Sequence, residues 1–144
     1  MKKTILPLIL SVGLSACGSF NSAPSGISGS VTRQAAVTPP NDGKGVLYIA
    51  ALAQCDHAEK PLAVKVLADA DLSSDMSGVP FQLPEINRPV YLAAFLDDNG
   101  DADLKQPLPG RGDLAYGSNS ADGKLDCIAA SPGQPVTIPL NLNH

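Results

Sequence analysis

The sequence predicts an all-β protein, an antiparallel β-sandwich of about seven short strands, preceded by an export segment and a flexible tether. Three observations predict it. Gly and Pro contribute 13 residues each to a chain of 144, and aromatics only 4%, which suits short strands joined by many turns better than a helical bundle. Apolar, β-branched runs recur between Gly, Pro and Asp clusters at strand-like spacing. The hydrophobic share, 44%, supplies one core in a length that fits one domain. A formal charge of −4 excludes the basic footprint of a nucleic-acid binder.

Residues 1–16 read as a signal peptide. Lys2 and Lys3 make a positive start, and Thr4 to Leu14 is an apolar stretch too short to span a bilayer. It ends in Leu14-Ser15-Ala16-Cys17, followed by Gly18. This run resembles the lipobox of bacterial lipoproteins. The resemblance implies cleavage before Cys17, acylation of Cys17 and a covalent lipid anchor in the cell envelope. Because Gly18 is not the aspartate of inner-membrane retention, it also implies the outer membrane. Without Lys2 and Lys3, eight basic residues face 14 acidic ones, so lipid rather than a basic face would hold the chain at the membrane.

Residues 17–44 hold Ser, Gly and Pro with little apolar periodicity and read as the tether. A strand around Ile27 to Val31 is the weaker alternative, because Gly and Ser interrupt it. The domain is then 45–144. Val46 to Leu52 is a buried-type strand, Leu62 to Leu67 a second and Val79 to Leu83 a third, which Pro80 confines to an edge. Ala, Leu and Lys between Leu62 and Leu72 also suit a helix, but strand is preferred. Val90 to Leu96 is the strongest strand. Leu114 to Tyr116 and Leu125 to Ala129 are shorter pieces. Val136, Ile138, Leu140 and Leu142 alternate on one face of the last strand, where Pro139 argues for an edge position.

With Cys17 lipidated, Cys55 and Cys127 remain, an even number in an exported domain, which predicts one disulfide. The densest chemical feature is Asp97-Asp98-Asn99-Gly100-Asp101-Ala102-Asp103. Oxygen-bearing side chains at Asp97, Asn99, Asp101 and Asp103 recur every second residue, as a loop curling around a hard cation requires. Asp113 would help complete the shell, and Ca²⁺ is the expected ion. An EF-hand is not expected, since Ala102 and Leu108 stand where that loop needs Gly and Glu.

The stretch Val90 to Asn119 resembles small exported bacterial proteins of unknown function built on a transthyretin-like (prealbumin-like) sandwich. In these a strand leads into a D-x-N-G-[DN]-x-x-L loop and then a Gly-, Tyr- and Ser-bearing segment. Pro89-Val-Tyr91 leads the strand here, Asp97 to Asp101 fills the loop, and Gly110, Asp113, Tyr116, Gly117 and Ser118 match the later segment. The resemblance implies a fold more than an activity. Transthyretin-like hydrolases end in Tyr-Arg-Gly-Ser and use paired histidines; this chain ends in Asn-Leu-Asn-His, with His57 and His144 its two histidines.

Arg111-Gly112-Asp113 spells an integrin-type tripeptide but reads first as a turn; Asp69, Asp71 and Asp75 read as a solvated turn. No nucleophile elbow, phosphate loop or HExxH is present. The expectation is a non-enzymatic, envelope-anchored binding or accessory module facing a protein or glycan partner. A purely structural envelope protein, hardened by disulfide and cation, is the alternative, and a carboxylate-based hydrolase ranks third.

Overall fold

A computed structural model of the chain describes residues 26–56, 60–105, 107–117 and 126–143. The signal segment, Cys17, His57, His144 and the Leu125 end of one expected strand lie outside them. The described residues form eight strands and no helix: β1 (Ile27–Arg33), β2 (Lys44–Leu52), β3 (Ala63–Asp71), β4 (Gly78–Leu83), β5 (Val90–Asp97), β6 (Leu114–Ala115), β7 (Ile128–Ala130) and β8 (Val136–Leu142). The all-β expectation holds, and the helix alternative at Leu62 to Leu72 does not.

The strands make one sheet in the order β3-β2-β5-β6-β8-β1-β4. The short β6 and β7 share one edge of β5: β6 pairs with Phe95 and Leu96, β7 with Val90 to Leu92. The end strands β3 and β4 lie beside each other, so the sheet curls into a nearly closed barrel. The sheet is mixed rather than wholly antiparallel. β1 and β8 run parallel, Gly29 opposite Val136 through Arg33 opposite Leu140, and nearly the whole domain connects them, so the long link that a parallel pair demands is met.

β1 corrects the tether reading. It lies inside 17–44, so the folded unit begins by Ile27 rather than at residue 45. The small residues that looked like linker are what this strand needs. A Cβ on Gly29 would stand 2.0 Å from the Val136 carbonyl oxygen, so only Gly lets β8 approach. Ile27 and Val31, spaced to one face, are buried.

Pro80 sits in β4, at one end of the sheet, as expected. Pro139 does not mark an edge strand: β8 lies between β6 and β1. β6 pairs only with Asn141 and Leu142, however, so it offers no ladder partner at Pro139 for a missing N–H to disrupt.

The barrel interior is the main core. Leu47 and Ile49 of β2, Leu92 and Leu96 of β5, Ile138 and Leu140 of β8 and Phe81 and Leu83 of β4 meet there with β1. β5 is buried on both faces. Its outward face carries Ala93, Phe95 and Asp97, and Phe95 stacks on Tyr48 of β2 with ring centroids 4.8 Å apart. Ala115 and Ala102 complete this smaller cluster, so the segment after β5 folds back over the outer face. Cys55 and Cys127 form the expected disulfide, joining the β2–β3 loop to the approach of β7 with Cα atoms 5.8 Å apart. Among the described residues, no helix is long and apolar enough to cross a membrane.

Candidate metal centre

β5 delivers Asp97 at its C-terminal end, on the outer face and only 5% exposed. A carboxylate so placed must find donors, and the turn that follows supplies them. Asp97 Oδ1 accepts the N–H groups of Gly100 (2.8 Å) and Asp101 (3.1 Å), and Oδ2 accepts that of Ala102 (3.3 Å). Gly100 takes φ +76°, a left-handed value that lets the chain wrap around the carboxylate. The D-D-N-G-D spacing is therefore a closed Asx-type turn whose hub is Asp97.

Asn99 braces the next member of the turn. Its Nδ2 donates to Asp101 Oδ2 and its Oδ1 accepts the Asp101 N–H, both at 3.0 Å. Asp103 turns away: it is exposed, and its Oδ1 accepts the Lys105 N–H at 2.9 Å.

Asp113 arrives from the other end of the β5–β6 connection and is fully buried. Its Oδ2 accepts the Gly110 N–H at 2.6 Å, and its Oδ1 has no hydrogen-bond partner. Gly110 lies between the carboxylates, where a Cβ would stand 3.0 Å from Asp101 Oδ1 and 3.4 Å from Asp113 Oδ2. Asn143, just beyond β8, holds this part of the loop in place. Its Nδ2 donates to the Gly110 carbonyl (2.8 Å), its N–H donates to the Asp113 carbonyl (2.8 Å), and its own carbonyl accepts the Gly112 N–H (2.9 Å).

Asp97, Asp101 and Asp113 thus each bring a carboxylate oxygen to within 4.8 Å of the other two. Oxygens held 2.3–2.6 Å from one ion lie at most about 5 Å apart, so the three fit around a single cation. Without one, the crowding is unfavourable. Burial, then the neighbouring charges of Asp97, Asp101 and Asp98, push the Asp113 carboxyl up to about 6 against the opposing pull of the Gly110 N–H. These three aspartates can hold a metal ion.

Of the five expected ligands, Asp97, Asp101 and Asp113 come together. Asn99 serves Asp101, and Asp103 lies outside the group. No family model, curated protein or solved structure matches the chain. The site therefore stands on its own geometry.

Asp98 is a further buried carboxylate, 8% exposed. Its Oδ1 accepts from Asn41 Nδ2 at 3.0 Å and its Oδ2 has no partner. Sequence reasoning missed Asn41 and Asn143. Asn41 and Asn143 act across 57 and 33 residues of chain, and no local pattern marks such partners. The integrin-type reading of Arg111-Gly112-Asp113 fails on burial, because the Asp113 side chain is not on the surface.

Proposed function

We propose that this protein is a lipid-anchored, non-enzymatic module of the bacterial cell envelope whose β5–β6 connection binds Ca²⁺ through Asp97, Asp101 and Asp113. One observation carries the cation reading: a fully buried, unpartnered oxygen on Asp113 beside two further carboxylates. A buried carboxylate oxygen without a donor costs about 1–3 kcal/mol, more when charged, and a bound cation removes that cost. An all-oxygen donor set suits a hard cation. The three carboxylates leave Ca²⁺ short of its six to eight oxygens; backbone carbonyls and water complete the shell.

The anchor reading rests on the Leu14-Ser15-Ala16-Cys17 run and on the acidic balance of the rest of the chain. The domain belongs, in this proposal, with transthyretin-like sandwiches. The run from Val90 through the acidic loop to Tyr116-Gly117 supports that, together with the all-β core. Its partner is an envelope protein or glycan reached from the tethered position. Ca²⁺ stiffens the loop that closes over Phe95 and Tyr48, and the disulfide stiffens the far side of the same sheet.

Titration calorimetry of the purified full chain tests the cation. Ca²⁺ binds with a dissociation constant on the order of 10⁻⁴ to 10⁻³ M, Mg²⁺ binds more weakly because it demands a tighter octahedron, and Asp101→Ala gives no heat. Absence of heat from the wild-type chain at millimolar Ca²⁺ contradicts it.

A further inference from the structure

β1 places the start of the folded unit far closer to the anchor than the composition of residues 17–44 implies. Gly26 lies only nine residues along the chain from the acylated position, Cys17. Nine residues span at most about 30 Å when fully extended, and roughly 17 Å as a root-mean-square coil. The anchor therefore keeps the start of β1 within about 30 Å of the lipid.

The register identifies that end. Ile27 opens β1 opposite Leu83, the last residue of β4, and Gly29 pairs with Val136, the first of β8. Leu52 closes β2 opposite Tyr91, near the start of β5, and Val90 pairs with Ala130, the last of β7. The chain therefore enters at the end formed by the β2–β3, β4–β5 and β7–β8 connections. Asp97 closes β5 and Leu114 opens β6 at the opposite end, where β1 finishes at Arg33 and β3 at Asp71. Seven residues of β1 put about 20 Å between the two ends.

Charge divides along the same axis. At the entry end the connections carry Lys60 and Arg88 against Asp56, Glu59 and Glu85, one acidic residue in excess. At the far end the five aspartates from Asp97 to Asp113, with Asp42, Asp71 and Asp75, outnumber Arg33, Lys44, Lys105 and Arg111 by eight to four. Anionic headgroups repel the strongly acidic far end more than the entry end, so the entry end is the one that approaches. At about 20 Å the acidic end lies beyond a Debye length of about 8 Å. Exposed apolar side chains stand at both ends, Leu62 and Tyr91 at one and Met76 and Leu104 at the other, so they do not set the direction.

We infer that the entry end of the barrel, formed by the β2–β3, β4–β5 and β7–β8 connections, rests against the phospholipid surface and that the three-aspartate site is presented away from it. This rests on the Cys17 anchor reading. The short leash brings the domain to the lipid, and the charge axis orients it. A partner in the aqueous envelope then meets the acidic end and any bound Ca²⁺.

The test uses the full lipidated protein, extracted from membranes and reconstituted into vesicles of phosphatidylethanolamine and phosphatidylglycerol carrying a headgroup-linked quencher. A fluorophore is attached in separate samples through Gln134→Cys, in the β7–β8 turn, and Met76→Cys, in the β3–β4 turn; both positions are exposed, and the disulfide-bonded Cys55 and Cys127 do not label. The probe at 134 is quenched several-fold more than the probe at 76. Equal quenching, or stronger quenching at 76, overturns the orientation while leaving the anchor standing. The same labelled proteins carrying Cys17→Ser do not float with the vesicles. If they do float, the anchor reading and the orientation fall together.

Discussion

Gly45 of β2 and Asp97 of β5 lie so close that a Cβ on Gly45 would stand 2.0 Å from the Asp97 carbonyl oxygen. The backbone of the first candidate ligand is thus set by a residue 52 positions earlier that has no side chain. The approach falls where the β2–β3 register shifts between Gly45 and Leu47. Gly45→Ala forces the strands apart, costs about 1–3 kcal/mol of stability and weakens Ca²⁺ binding with it. Thermal unfolding and a Ca²⁺ titration of the variant check both effects.

Arg33 fastens the end of β1. Its guanidinium donates to three carbonyls, those of Leu72 (2.9 Å), Ser73 (3.1 Å) and Val37, and so joins β1 to the β3–β4 turn. Lysine carries no planar fork that reaches three acceptors at once. Arg33→Lys is therefore destabilising by about 1–3 kcal/mol, read as a lower denaturant midpoint at unchanged m-value.

Asp113 gives a pH signature in chelator. Its carboxyl sits at about 6 in the folded protein against an ordinary value of 3.8. Between pH 4 and 6 the folded state keeps a proton that the unfolded chain has released. Stability from this group is therefore full below pH 4, is lost as pH rises through 6 and is flat above. The total is about 3 kcal/mol. Asp113→Asn removes that slope and leaves the metal-free protein more stable at pH 7. Urea titrations at pH 4, 5, 6 and 7 measure it.

The disulfide closes a separation of 72 residues. Its removal in a Cys55→Ala/Cys127→Ala pair costs about 4 kcal/mol through the unfolded state, on the loop-closure model. The two melting curves compared in one buffer give the difference.

Much of the fold is legible in the sequence because burial writes a local pattern. β5 and β2 are continuous apolar runs buried on both faces, and β8 alternates with Ile138 and Leu140 inward. β1 was legible only as the weaker alternative at Ile27 to Val31, because its sheet position selects smallness: Gly29 and its serine neighbours resemble a linker until β8 lies against them. β8 escaped the Pro139 rule because the length of β6, not of β8, decides whether a ladder exists there. For the site, Asp97 and Asp101 were readable from spacing alone. Asp113 joins them only through the turn that Asn143 clamps, and Asn99 and Asp103 were drawn in by a pattern of period two that the Asx turn breaks.

The central claim is that Asp97, Asp101 and Asp113 hold Ca²⁺, and thermal unfolding tests it most directly. Four samples suffice: wild type and Asp101→Ala, each with millimolar Ca²⁺ and with chelator. Asp101 is exposed, so its replacement leaves the core intact. At about ten times the dissociation constant, binding to the folded state stabilises the wild type by about 1.4 kcal/mol, a rise of roughly 5 °C in the midpoint. The account predicts that rise in wild type and none in Asp101→Ala. A wild-type midpoint that is the same with Ca²⁺ and with chelator contradicts it.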